Sequence, residues 1–273
     1  KTIGNLLEEV LRAADEPVET VRARPAGAPI RVVQRAGELD PYVQDPRVRL
    51  ATTNAVVDES VEAGTADIVA GTAWLFSRGE LDRALDVLFV DEAGQYALAN
   101  VVAAGACARS IVLVGDPTQL PMVTQGVHPD GAGLSGLAHL LGDDITIPPD
   151  RGLFLSTTRR LHPAINTFIS ETFYDGRLVT HPDTERLVGG PTGSLSDAGV
   201  RWWPVAHEGN AARSAEEADR VADAVTALVG REQVLADGST RTIEVDDVIV
   251  VAQYNAQVSE IQAALGRRLG RLS

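Results

Sequence analysis

Sulfur is nearly absent from this chain. Of 273 residues one is cysteine, Cys107, and one is methionine, Met122. A single thiol builds neither a disulfide framework nor a thiolate metal site, and it fits a reducing cytoplasm. Cys107 lies in the small-residue run from Ala103 to Ala108, where a buried core thiol is expected. The five histidines are scattered, with no metal-ligand spacing. No apolar stretch approaches the ~18 residues of a membrane span. The opening Lys1-Thr2-Ile3-Gly4-Asn5 lacks the basic-then-apolar layout of a secretory signal. It also lacks an initiator methionine, so the chain is expected to be a piece of something longer. Repeats and low-complexity segments are missing as well.

A further absence concerns nucleotide chemistry. No G-x-x-x-x-G-K-S/T loop occurs, so nothing in the chain cradles α- and β-phosphates in the usual way. Either no triphosphate is hydrolysed here, or that loop lies upstream of Lys1. No Asn-Lys-x-Asp base selector occurs, which removes the GTPase class. The literal G-x-G-x-x-G match at Gly131 to Gly136 follows His128-Pro129-Asp130 rather than an apolar strand, so it makes no dinucleotide site.

What is present starts with composition. Hydrophobic residues make up 44% and charged residues 23%, typical of a globular chain long enough for two domains. The net charge of −14 counts against a protein that simply coats nucleic acid. It permits a motor gripping a strand in one local groove. Arginines that could serve such a groove cluster at Arg22, Arg24, Arg31 and Arg35, at Arg159 and Arg160, and at Arg267, Arg268 and Arg271.

Two segments carry the chemistry. Val87-Leu88-Phe89-Val90 runs into Asp91-Glu92-Ala93-Gly94-Gln95, and Ile111-Val112-Leu113-Val114 runs into Gly115-Asp116-Pro117-Thr118-Gln119-Leu120-Pro121. Apolar runs that stop at polar groups are how central parallel strands deliver side chains to the carboxyl edge of a sheet. Asp91 and Glu92 suit a hydrated Mg²⁺, which needs one or two protein carboxylates, and an attacking water beside it. The Asp116/Gln119 pair suits a triphosphate, with Gln119 able to bond both a phosphate oxygen and a water. A third segment, Thr157-Thr158-Arg159-Arg160-Leu161-His162-Pro163, offers an arginine for charge that builds on a phosphoryl group. His162 reads as a structural hydrogen bonder. In the fourth, Asp67 to Phe76, Gly71-Thr72 ends a strand and offers N–H groups and a hydroxyl to a nucleic-acid phosphate. Trp74 and Phe76 suit base stacking or, more ordinarily at helical spacing, a core.

Periodicity predicts helices over Thr2–Ala14, Leu98–Ala106, Pro163–Tyr174, Ser214–Val229 and Asn255–Leu265, with a helical start at Ala73. Ser214 and Glu217 have capping-box spacing. Strands are predicted at Ile30–Val33, Ala66–Gly71, Leu85–Val90, Ser110–Val114, Val200–Val205 and Val248–Ala252. Breakers follow the first helix at Pro17, Pro25 and Gly27. Pro41–Val61 reads as irregular and helical, Gln125–Gly152 as loop, and Thr180–Gly199 as a Gly/Pro-rich excursion. The last three strands of the first half suggest one parallel sheet with short crossovers. The fold class is therefore α/β.

In order, Asp91 to Gln95, Gly115 to Pro121, Arg160 to Pro163, Phe173 to Leu178 and Val251 to Val258 resemble the motifs of superfamily 1B helicases. The resemblance is strongest to the AAA_12-type branch that includes the nonsense-mediated-decay helicase. Asp67 to Phe76 and Gln119 to Pro129 further resemble bacterial members fused to a RecB-like nuclease. The resemblance implies two RecA-like parallel-sheet domains of the P-loop NTPase type, residues 1–150 and 153–273, both incomplete, with Lys1 to Leu7 as the tail of motif Ia. It implies ATP and Mg²⁺ bound in the cleft between them. Asp91 and Glu92 would hold the metal, with Glu92 as catalytic base. Gln119 would sense the γ-phosphate, and Arg160 would be the arginine finger. Gly71 and Thr72 would touch the strand. It implies a cytoplasmic DNA-repair motor moving 5′ to 3′ on single-stranded nucleic acid, DNA rather than RNA, with no membrane partner. Arg159 stands where that branch carries an aromatic, and Gln253 where it carries proline. The alternative from a different class is a non-hydrolysing RecA-like module that binds nucleic acid or protein.

Overall fold

The computed structural model describes residues 2–15, 29–119, 133–185, 187–188, 198–235 and 237–270. Pro17, Pro25, Gly27, Arg22, Arg24, Met122, Arg271, the Leu120-Pro121 end of the second segment and the Gly131 start of the glycine-rich match lie outside the described residues. The chain folds as two compact units, Lys1–Asp143 and Asp144–Ser273.

The first unit opens with helix α1 (Thr2–Asp15) and continues through β1 (Val32–Arg35), β2 (Val48–Ala51), α2 (Asn54–Glu62), β3 (Ile68–Ala70) and the single turn α3 (Ala73–Phe76). Then come β4 (Leu85–Val90), α4 (Leu98–Gly105), β5 (Ala108–Leu113) and α5 (Gly136–Leu141). All ladders here are parallel, in the order β2-β1-β3 and, separately, β4-β5. The expected single sheet through β3, β4 and β5 is thus two ladders. They are joined by packing instead. Val33 of β1, Ala51 of β2, Leu88 of β4, Ala104 of α4 and Cys107 share one core with Val57, Leu75 and Phe76.

Alternation along β1 explains how that core is divided, because successive side chains point to opposite faces of a strand. Val33 enters the core just described. Val32 packs on the other face with Leu7 and Leu11 of α1 and with Val43. Gln34, though 2% exposed, accepts a hydrogen bond from the Val43 N–H at 3.0 Å, which removes the cost of burying its amide oxygen. Arg47 chelates Asp45 and reaches Asp15 at the end of α1 with a 2.7 Å contact. Hydrogen bonds from Arg47 hold the Asp45 carboxyl down at about 2.

Two further readings are corrected in this unit. Pro41–Val61, read as irregular and helical, does hold most of α2 but also β2, an edge strand whose Arg49 interrupts the apolar signal, as edge strands commonly do. The stretch read as loop holds α5, capped by the Ser135 hydroxyl, which accepts from the Ala138 N–H at 3.0 Å.

The second unit contains β6 (Thr157–Thr158), α6 (Pro163–Phe173), β7 (Val179–Thr180), β8 (Leu187–Val188), α7 (Ala215–Leu228), β9 (Glu232–Val234), β10 (Thr240–Thr242) and α8 (Asn255–Leu269). β6 and β7 are parallel, while β8, β9 and β10 form an antiparallel sheet that the expected β/α alternation omits. Neither Val200–Val205 nor Val248–Ala252 is a strand. Pro204 has no N–H to give to a ladder, and Ile249 and Val251 are 86% and 88% exposed. An apolar run is no evidence of a hydrogen-bonding neighbour, and here it does not even bring burial.

Small residues let α7 and α8 approach closely, with Ala218, Ala222 and Ala264 fully buried beside Ile261. The expected capping box at Ser214 is completed differently. The Ser214 hydroxyl accepts from the Glu217 N–H at 3.1 Å, but the Ser214 N–H donates to Gln257 Oε1 of α8 at 2.6 Å. Gln257 Nε2 returns a bond to the Ser214 carbonyl at 3.2 Å. The reciprocal half of the cap therefore doubles as a clamp between helices.

Candidate nucleotide and strand site

The register Val90↔Leu113 brings β4 and β5 to their carboxyl ends side by side. The two loops that follow are stitched together by backbone. The Val114 N–H donates to the Val90 carbonyl and the Ala93 N–H to the Val114 carbonyl, both at 2.9 Å. Asp91 Oδ1 accepts the Glu92 N–H at 3.0 Å, and Glu92 itself takes a left-handed backbone with φ 54°. That conformation costs an L-residue about 1–2 kcal/mol and turns the chain sharply at the carboxylate pair. The Gln95 N–H closes the turn on the Glu92 carbonyl at 2.9 Å.

The second loop is shaped by Asp116. Its Oδ1 accepts from the Thr118 N–H at 2.9 Å and from the Thr118 hydroxyl at 2.7 Å. The carboxylate expected to serve nucleotide binding thus also builds the turn after β5. That turn sends Gln119 back, where its Oε1 accepts from Gln95 Nε2 at 3.1 Å. Asp91, Glu92, Asp116 and Gln119 therefore stand on two loops joined at one sheet edge. Gln95 is the residue to which the sequence assigned no role. Its position among the polar residues just past a strand was the available signal.

Gly94 makes this junction possible. A Cβ there would stand 2.0 Å from the Asp116 carbonyl oxygen, and one at Gly115 would stand 2.8 Å from the Ala93 nitrogen. Gly94→Ala is expected to force the loops apart and destabilise the first unit by about 1–3 kcal/mol, the usual cost of overpacking. Urea unfolding checks this; an unchanged midpoint would show that the loops part freely.

Gly71 and Thr72 lie at the carboxyl end of β3, in the other ladder. A Cβ on Gly71 would meet Leu75 Cδ2 at 2.6 Å, so glycine here keeps Leu75 in the core. Thr72 is exposed, and its hydroxyl makes no capping bond. α3 is only four residues long, so it adds little macrodipole. Anion binding at Thr72 would rest on its hydroxyl and local N–H groups. The two aromatics part company: Phe76 is buried in the core, whereas Trp74 is 84% exposed.

Arg160 belongs to the second unit. The Thr158 hydroxyl accepts from the Arg160 and Leu161 N–H groups, both at 3.3 Å, and bends the chain out of β6. His162 caps α6, its Nδ1 accepting from the Ala164 N–H at 3.1 Å. That is a structural hydrogen bond of the kind expected of it, while its buried Nε2 has no hydrogen-bond partner among the described residues. Among the described residues the Arg159 and Arg160 guanidinium groups are exposed and take no hydrogen bond or ion pair. The described members of the other basic clusters are spent within the fold. Arg31 is bonded bidentately to Asp67. Arg267 and Arg268 bind Asp219, and Arg268 also binds Asp223 across α7 and α8. Their hydrogen bonds, that from Arg268 foremost, hold the Asp219 carboxyl below its ordinary range.

Comparison with known proteins follows this division. Residues 34–125 match the AAA_11 family model and residues 139–272 the AAA_12 model, each described as an AAA domain. These domains support a superfamily 1 helicase family. The mixed α/β architecture with parallel ladders is consistent with the RecA-like P-loop NTPase fold of such helicases. The mouse 5'-3' DNA helicase ZGRF1 is 39% identical over 71 residues, 26% of this chain and 4% of its own length. Human 3'-5' exoribonuclease HELZ2 is 31% identical over 179 residues, 59% of this chain and 6% of its own. Probable helicase MAGATAMA 3 of Arabidopsis thaliana is 29% identical over 134 residues, 48% of this chain and 15% of its own. The chain thus spans only a small part of each relative.

Proposed function

We propose that this chain is the motor part of an ATP-dependent helicase or translocase acting on single-stranded nucleic acid. The observation that carries the reading is the backbone-stitched pair of loops after β4 and β5. It sets the Asp91/Glu92 carboxylates and the Gln119 amide on one edge. The first RecA-like domain corresponds to the unit holding those loops and the second to the unit holding Arg160.

Asp91 fits a hydrated Mg²⁺. One of its oxygens is turned by the Glu92 N–H, the other stays available, and Mg²⁺ asks for only one or two carboxylates. Asp91 and Glu92 would hold the ion, which supplies neutralising charge to the triphosphate of ATP. Glu92 takes the proton of the attacking water. Gln119 bonds that water or a phosphate oxygen, and its tie to Gln95 links the phosphate to the turn beside Glu92. Arg160, which has no carboxylate partner to leave among the described residues, supplies fixed charge to the transferring phosphoryl group. Thr72, with the exposed Trp74 beside it, contacts the strand.

DNA as the track rests on the printed description of ZGRF1 as a DNA helicase. Movement 5′ to 3′, a cytoplasmic repair role and a fused nuclease domain belong to the same proposal. The test is ATP hydrolysis by the full-length protein with and without single-stranded DNA or RNA. Stimulation by DNA supports the reading. ATP-independent binding without hydrolysis would favour the non-hydrolysing module.

A further inference from the structure

The second unit contains a cleft of about 870 Å³ between the 202–207 segment, α7 and the residues leading into α8. Its volume lies in the range of small-ligand sites. Two of the chain's three tryptophans, Trp202 and Trp203, line it consecutively. Trp202 is 84% exposed. Arg220 of α7 lies over the Trp203 ring, 4.7 Å from its centroid. Val225, buried on α7, adds an apolar wall. The rest of the lining is largely apolar, Val248, Val250 and Val251 among it, with Gln253 and Tyr254 adding an amide and a phenol. Among the described residues neither of these groups has a hydrogen-bond partner, nor do the two indole N–H groups, and Arg220 forms no ion pair.

We propose that this cleft binds an unpaired nucleobase, carried by a single strand or by a free nucleotide. The chemistry of the lining selects that class. The exposed Trp202 indole, beside the Trp203 ring that Arg220 covers, calls for a flat π-system. A primary amide, a phenol and indole N–H groups call for a ligand with donors and acceptors around its rim. A purely apolar occupant would leave all of them without partners. At a net charge of −14 the chain attracts no polyanion as a whole, so stacking supplies most of the affinity, with Arg220 and Arg213 as the local cations of the cleft. Binding should therefore weaken little with added salt, unlike phosphate-dominated binding. For a strand-borne base this deepens the helicase reading; for a free nucleotide it stands apart from it.

Photocrosslinking of the whole chain tests the proposal. Two probes are used, an oligodeoxynucleotide carrying 5-iododeoxyuridine and 8-azidoadenosine 5′-monophosphate, with attachment sites mapped by mass spectrometry. Attachment at Trp202, Trp203 or Tyr254 is expected. With the oligonucleotide it identifies a strand as source; with the azidonucleotide alone it identifies a free nucleotide, and the inference then survives failure of the strand reading. Strand attachment confined to residues 71–76 overturns the inference while leaving the helicase reading intact. No attachment within residues 198–261 by either probe also overturns it. Trp202→Ala should weaken binding of the attached probe roughly 5- to 140-fold, the range for losing one base stack, and Trp202→Phe should restore most of it. Because Trp202 is so exposed, the alanine variant should fold. Gln253→Ala provides a second check: it should shift preference between adenine and thymine ligands, and unchanged affinity and preference in both variants overturns the assignment.

Discussion

Arg160→Ala is expected to reduce ATP turnover of the full-length protein by roughly 10³-fold or more, the range for losing an arginine finger. ATP affinity should change by less than about threefold, because an interaction made chiefly with transition-state charge lowers kcat and leaves ground-state binding alone. The structure gives this side chain the required freedom. Its backbone is fixed by Thr158 on one side and by the His162 cap on the other, while its guanidinium bonds nothing among the described residues. Arg160→Lys should recover only part of the loss, since an ammonium keeps the charge without the planar fork. Arg159→Ala is the natural control and should keep most of the turnover. Steady-state kinetics alongside equilibrium nucleotide binding decide the matter. A tenfold loss of affinity with unchanged turnover would reject the role.

Glu92→Gln should lower turnover by about 10²–10⁴-fold, the usual worth of a positioned general base, with ATP still bound. Glutamine has nearly the same shape as glutamate and the same restriction at φ 54°, so the turn built on Asp91 and closed by Gln95 should survive. That separates chemistry from folding. The variant's urea midpoint should match the parent's while its single-turnover rate collapses. Normal turnover would sink the base assignment. Gly94→Ala, one turn further on, should show the opposite pattern, with stability lost first.

The contrast between these variants mirrors what the residues made readable. β4 and β5 were legible because both are continuous apolar runs ending in polar groups. α1, α4, α6, α7 and α8 were legible from their 3.6-residue spacing, and α8 merely runs four residues past its expected end, to Leu269, whereas α5 was too short to show the period. β2 was hidden because Arg49, exposed within its four residues, breaks the apolar run. The antiparallel β8-β9-β10 sheet was hidden because Glu232-Gln233-Val234 and Thr240-Arg241-Thr242 are short and polar. The Asp237-Gly238 pair between them was the overlooked hairpin signal; the Asp237 carboxylate accepts from Ser239, and Gly238 has φ 80°. Val200–Val205 and Val248–Ala252 erred the other way, since their apolar content says nothing of a hydrogen-bonding neighbour. At the site, the carboxylates and Gln119 were legible as residue types at strand tips. Gln95, the Asp116 turn and the Ser214–Gln257 clamp were not, because each depends on which distant backbone atom comes within 3 Å or so.

Cys107 has a practical consequence. It is fully buried in the core that joins the two ladders of the first unit, and burial raises its thiol pKa. A thiol reagent can modify it only when that core opens. With no other thiol in the 273 residues, labelling rate becomes a clock for one half of the molecule, silent to events in the other. The same inertness makes the chain ready for site-directed dyes. A cysteine placed on an exposed position, such as that of Arg159, would take a fluorophore under native conditions against a nearly blank background.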